Sequence, residues 1–243
     1  MKNEFLGKWI LITGGSSGIG LAVVKKMHGF GANIISIQRG KNPKSLVDMK
    51  NVYPICFDLG EMNKLEGLLK KIYEISKKID FIIFNASKLY MARYDLINKN
   101  EMQNCFDTNV FSSVVIMKEL AKKLNKDSSV VFVSSGAPRL NTPGKAVYTM
   151  AEASIESYAK ILAKEIAPKT RVNIIAPGPT KTPRLIKSTK EKHNIGIKEL
   201  EEMMPLKRIN SPNDVAESII FLLSNKAKSI TGQVLQVNCG GII

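Results

Sequence analysis

Three cysteines in 243 residues, Cys56, Cys105 and Cys239, form neither a metal-spaced cluster nor a redox pair. They read as reduced, mostly buried thiols, and no metal site is expected. No apolar run is long enough to span a bilayer. The stretch "KWILITGGSSGIGLAVV" has the outline of a secretory signal, but its glycines interrupt the apolar run. The expected location is the cytoplasm, with no membrane association. No internal repeat, low-complexity linker or shift in composition marks a second domain, so residues 1–243 read as one domain. Acidic residues are also scarce: 21 Asp and Glu stand against 36 Lys and Arg, a net charge of +15. The lysines are scattered along helices and do not form one dense arm. That pattern suits a solvated surface better than a nucleic-acid grip. An anionic cofactor or substrate would gain from the same field.

What is present is a rhythm. Short, nearly continuous apolar runs ("WILIT", "NIISIQ", "VYPICF", "DFIIFN", "SVVFVSS", "RVNIIA", "GQVLQVN") alternate with amphipathic segments. Such runs suit strands covered on both faces. Strand–helix–strand alternation predicts a doubly wound α/β fold: a parallel sheet of about seven strands with helices on both faces. The longest predicted helices are "EMQNCFDTNVFSSVVIMKELAKKL" and "VYTMAEASIESYAKILAKEIAP". Residues 181–204, long and polar between two late strands, read as a substrate lid or as a plain pair of surface helices.

"ILITGGSSGIG" is a strand running at once into Gly14, Gly15, Ser16, Ser17, Gly18, Ile19 and Gly20, then a helix. Glycines let a backbone approach a pyrophosphate, and the helix start offers free N–H groups and a positive dipole end. The spacing is G-x-x-x-G-x-G, not the commoner G-x-G-x-x-G. The second strand ends in Gln38 and Arg39, where folds selecting the unphosphorylated cofactor place an acid. An arginine there can pair with a 2′-phosphate, so NADP(H) is expected over NAD(H).

Together these features resemble the short-chain dehydrogenase/reductase family over essentially the whole chain. "TGGSSGIG" is similar to its glycine loop, Asp58 in "CFDLGE" to an acid near the adenine, and "NASK" at 85–88 to its Asn-Asn-Ala-Gly segment. Asn109 resembles its helix asparagine. Ser135 lies thirteen residues before Tyr148, the spacing of its catalytic serine and tyrosine. "NIIAPGPTKTP" resembles the segment that would place Pro177, Gly178, Thr180 and Thr182 near the nicotinamide, and the C-terminal stretch from Pro205 is similar throughout. The resemblance implies cofactor contacts from the glycine loop, Arg39, Asp58 and Asn85. It also implies a proton from Tyr148, a hydrogen bond from Ser135, and a water held by Asn109. A homodimer or homotetramer built on the two long helices is implied as well.

One position departs from this pattern. Glu152 stands four residues after Tyr148, where the family has a lysine that lowers the tyrosine pKa. A unit charge roughly 6 Å away, at an effective dielectric near 20, contributes about 3 kcal/mol, or about 2 pKa units. Exchanging cation for anion is therefore expected to raise the tyrosine by about 4 units, which favours carbonyl reduction over alcohol oxidation. Lys88, Lys145 and Lys160 are the nearby candidates for a substitute cation. Phe84, Ser87, Asn238 and Cys239 are lesser departures. Three readings stay open at this point: an NADPH-dependent reductase of a ketone or 3-oxoacyl-type carbonyl, an impaired dinucleotide sensor or structural subunit, and a basic nucleic-acid binder.

Overall fold

A computed structural model describes residues 2–40, 44–191 and 196–242. In chain order the elements are α1 (Lys2–Phe5), β1 (Trp9–Thr13), α2 (Gly18–Gly29), β2 (Asn33–Gln38), α3 (Lys44–Val47), β3 (Val52–Cys56), α4 (Leu65–Ile75), β4 (Ile79–Phe84), α5 (Lys99–Phe106), α6 (Ser112–Leu120), β5 (Leu124–Val133), α7 (Ala137–Leu140), α8 (Ala146–Glu165), β6 (Thr170–Pro177), α9 (Pro183–Glu191), α10 (Ile197–Met203), α11 (Pro212–Leu223) and β7 (Val234–Val237). The seven strands form one sheet in the order β3-β2-β1-β4-β5-β6-β7. All the pairings are parallel; Leu11 of β1, for example, lies beside Ile35 of β2 and Ile82 of β4. The chain reverses its direction of travel between β1 and β4. In such folds ligands bind beyond the strand ends at that switch point.

The central strands are apolar along their length because helices cover both faces. One face packs Leu68 and Ile72 of α4, Ile116 and Leu120 of α6, and Ile155 and Leu162 of α8. The other packs Val23 and Met27 of α2 against Val215, Ile219 and Leu223 of α11. Each fully buried Leu or Ile side chain contributes about 1.5–3 kcal/mol before chain entropy is set against it. Helix α11 begins as its sequence dictates. Ser211 accepts from the Asp214 N–H at 3.2 Å, the Asp214 carboxylate accepts from the Ser211 N–H at 2.7 Å, and Pro212 occupies the first turn. The edge strands differ from the predicted two-sided burial: β3 and β7 each leave residues exposed, including Tyr53 and Leu235, because an edge strand has fewer covering helices.

A second difference bears on chemistry. The predicted continuous helix over 101–124 is broken into α5 and α6 by a π-helical turn, Asp107–Phe111. Its wider spiral swings Asn109 inward, where the side chain is buried. Asn109 Oδ1 accepts from the Lys88 N–H at 2.7 Å, and its Nδ2 donates to the Lys88 carbonyl at 3.1 Å. These tertiary bonds compensate the disturbed helix ladder, and no local sequence period records them.

Candidate active site

At the switch point, β1 delivers the glycine loop to the start of α2. Gly18 has φ +53°, and a Cβ there would lie 2.9 Å from Thr182 Cγ2, so only glycine lets loop and lid base meet this closely. A Cβ on Gly20 would come 2.1 Å from the Gly14 carbonyl oxygen. Asn85 does not point into the groove. Its Nδ2 donates to the Thr13 and Gly14 carbonyls, both at 3.1 Å, so it braces the loop from behind. Ser17 caps α2 through its backbone only, Ser16 and Ile19 are partly buried beside it, and no acid occupies the first turn. A groove of about 480 Å³ is lined by Arg39, Asp58, Glu61, Lys64 and Lys71 among others, with Lys64 paired to Glu61 at 2.7 Å. Asp58 Oδ1 accepts from the Gly60 N–H at 2.9 Å. The helix start with no acid in its first turn, the close-packed glycines and Arg39 at the groove fit a dinucleotide.

The segment after β6 forms the opposite wall. The Pro177 carbonyl accepts from the Gly136 N–H at 3.0 Å, and the Gly178 N–H donates to the Val237 carbonyl at 2.9 Å. Thr180 Oγ1 donates to the Gly178 carbonyl at 2.9 Å, and Thr182 Oγ1 accepts from the Leu185 N–H as α9 begins. The predicted lid residues form α9 and α10; residues 192–195, with Lys192, lie outside the described residues.

Tyr148 sits in the first turn of α8, and Ser135 follows the end of β5. The Ser135 and Ser87 hydroxyls lie near the phenol and favour its ionised form. Glu152, one turn on, is 2% exposed and accepts from Asn109 Nδ2 at 3.2 Å. The structure thus brings Ser135, Tyr148, Asn109 and Glu152 together, and it adds Ser87, which the sequence marks only as a departure from the family pattern.

The electrostatics revise the sequence expectation. Burial, with a further push from Glu156, raises the Glu152 carboxyl to about 8, against the pull of Arg184, of the nearby Ser134 hydroxyl and of the Asn109 amide bond. At neutral pH Glu152 is therefore chiefly a neutral acid, and not the anion the i+4 argument assumes. Tyr148 is raised, first by desolvation and second by Glu152, while Ser135, Arg184 and Ser87 lower it. The direction matches the sequence expectation, but the leading cause is burial. Cys105 is pushed up to about 11 by its own burial and by Glu152. Among the thiols only Cys56 is exposed, a partial departure from the buried reading.

The candidate substitute lysines lie elsewhere. Lys88 Nζ bonds Asn104 Oδ1 at 2.6 Å and Glu101 Oε2 at 2.8 Å. Lys160 is exposed on the far side of α8, and Lys145 precedes the helix, its pKa lowered by burial. Sequence reasoning also misses Glu156, Ser134 and Arg139. Ser134 Oγ donates to Glu156 Oε1 at 2.8 Å. Arg139 donates to both Glu156 oxygens, at 2.9 and 2.7 Å. The i+4 repeat "EASIE" was the available signal, since it puts both glutamates on one helix face.

An α/β sheet with a glycine-loop cradle at its switch point and a tyrosine–serine pair at its strand ends defines a dinucleotide-dependent oxidoreductase. A family model described as enoyl-(acyl carrier protein) reductase matches residues 14–241. The NADPH-dependent aldehyde reductase 1 of Arabidopsis thaliana is 30% identical over 100% of this chain and 88% of its own length. The 3-oxoacyl-[acyl-carrier-protein] reductase FabG of Chlamydia muridarum is 29% identical over 99% of each chain. A short-chain dehydrogenase/reductase structure from Brucella melitensis superposes with a TM-score of 0.91 at 27% identity, over 100% of both chains. The chain belongs to the short-chain dehydrogenase/reductase family of oxidoreductases. No helix among the described residues is long and apolar enough to cross a membrane, and they hold no metal-binding cluster.

Proposed function

We propose that this chain is an NADPH-dependent reductase of a ketone or 3-oxoacyl-type carbonyl. The observation that carries the reading is Tyr148, partly buried in the first turn of α8 with its pKa raised, and the Ser135 hydroxyl beside it after the end of β5. When bound, the reduced nicotinamide supplies a hydride to the carbonyl carbon. Tyr148 donates its proton to the carbonyl oxygen, and C=O becomes CH–OH. The Ser135 hydroxyl donates to the same oxygen as negative charge develops there. Asn109, pinned at residue 88, holds a water behind the tyrosine, and Glu152 offers that water a carboxyl proton. An acid catalyst must be protonated and a base catalyst deprotonated, so a raised Tyr148 favours reduction over oxidation.

Gly14, Ser16, Ser17, Gly18, Ile19 and Gly20 would hold the pyrophosphate. Asp58 would meet the adenosine, and Pro177, Gly178, Thr180 and Thr182 would border the nicotinamide. Arg39, without a neighbouring acid at the strand end, supports the 2′-phosphate, as does the NADPH dependence named for the Arabidopsis relative. The Chlamydia relative supports the 3-oxoacyl class. Residues 181–204 would act as the lid, in a cytoplasmic protein. Exposed Phe111, Met150 and Ile161 on the two long helical segments support a homo-oligomer; a single-chain mass by light scattering would contradict it.

The test is a screen of carbonyls and alcohols, in both directions and with both cofactors, on the wild type and Tyr148→Phe. The expected result is reduction with NADPH exceeding every other combination, with kcat lowered about 10²- to 10⁴-fold in Tyr148→Phe. Saturable cofactor binding without turnover on any substrate would replace this reading with the sensor, which the loss of the lysine at 152 favours.

A further inference from the structure

Two departures from the family pattern meet at one side chain of the lid. Arg184, in the first turn of α9, donates from Nη1 to Ser87 Oγ at 2.9 Å and from Nη2 to the Ser87 carbonyl at 2.5 Å. The first bond exists only because residue 87 carries a hydroxyl where the family pattern has glycine. That same hydroxyl lies near the Tyr148 phenol and pulls its pKa down slightly. Ser87 and Glu152 line one small cavity between β4, the π-helical turn and α8. A lysine is missing from α8, and a guanidinium arrives from the opposite wall.

We propose that Arg184, anchored on Ser87, is the positioning residue that supplies the tyrosine site with its positive charge in place of the absent lysine. The charge is delivered by the lid, so it reaches the site when α9 is docked on Ser87. The inference rests on the reading of Tyr148 as proton donor. Arg184 is the first-ranked pull on Glu152 and also lowers Tyr148. The other titratable and charged groups facing Glu152 are Tyr148 and Glu156 on its own helix and Cys105 on α5. Behind these, Arg139 neutralises Glu156, and Lys88 is held by Glu101. Arg184 is exposed, so solvent screens its charge and the expected effect is modest.

The test follows thermal unfolding of the cofactor-free protein against pH, alongside the pH profile of kcat for reduction. Removing the cation should let Glu152 hold its proton to higher pH. Arg184→Ala and Ser87→Gly should both move the Glu152 titration upward, Arg184→Lys should restore it, and the shift should vanish in the Glu152→Gln background. The basic limb of the kcat profile should move the same way, with a loss of up to about fivefold in kcat. An unmoved titration in Arg184→Ala, or an equal change in the Glu152→Gln background, would overturn the proposal. The unfolding measurement needs no turnover. A shift in an inactive protein would therefore keep the charge assignment while the reductase reading fails.

Discussion

Glu152 and Glu156 stand one turn apart on α8, at 2% and 6% exposure, yet they meet opposite surroundings. Glu156 receives two parallel bonds from the Arg139 guanidinium and one from Ser134 Oγ. The Glu152 carboxyl receives one amide bond from Asn109, and feels its cation only from across the site. Burial is therefore not what distinguishes them. A forked cation meets both oxygens of Glu156, whereas no cation touches the buried Glu152 carboxyl, whose pKa is raised. The paired glutamate ties the loop after β5 to α8, through Arg139 and the Ser135 carbonyl at 3.5 Å. The unpaired one sits where the chemistry is expected.

The largest effect that can break this comparison is at the paired site. Arg139→Ala leaves Glu156 uncompensated, and the expected destabilisation is about 3 kcal/mol. For a chain of this size that is a fall of roughly 6–12 °C in melting temperature. Wild-type melting behaviour would show that the pair is no structural bolt.

Next comes the unpaired site. Glu152 has a folded pKa of about 8, above its ordinary 4.5. Its contribution to stability is thus fully present below the ordinary value and is lost as pH rises toward about 8. Glu152→Gln abolishes that titration, so the variant should gain steadily on the wild type across this window. Parallel melting curves at all pH values would contradict it.

The smallest effect is on direction. Glu152→Lys returns a cation beside Tyr148 and should raise alcohol oxidation about tenfold relative to reduction. Equal change in both directions, measured as kcat, would separate the charge at 152 from the preference for reduction.

Much of this was legible before any coordinate. The strands announced themselves because a buried parallel strand must be apolar on both faces, and the glycine loop because few other sequences join a strand to a helix that way. The chemistry at 152 was legible only in part. The i+4 rule places Glu152 near Tyr148, but its charge depends first on burial and next on Arg184, with a smaller pull from Asn109, which a π-helical turn aims from another element. Arg184 reads as one more polar residue of the 181–204 segment until the fold brings it to Ser87, 97 residues away in the chain. Local patterns encode elements and faces, whereas the protonation of a buried acid is set by neighbours distant in sequence.

Glu152, raised to about 8, should hold its proton near neutral pH. Infrared difference spectra between wild type and Glu152→Gln, recorded from about pH 6 upward, measure this directly. The account predicts a protonated-carboxyl band in the wild type at neutral pH, giving way to a carboxylate band as pH passes about 8. A carboxylate band already complete at about pH 6 would contradict it.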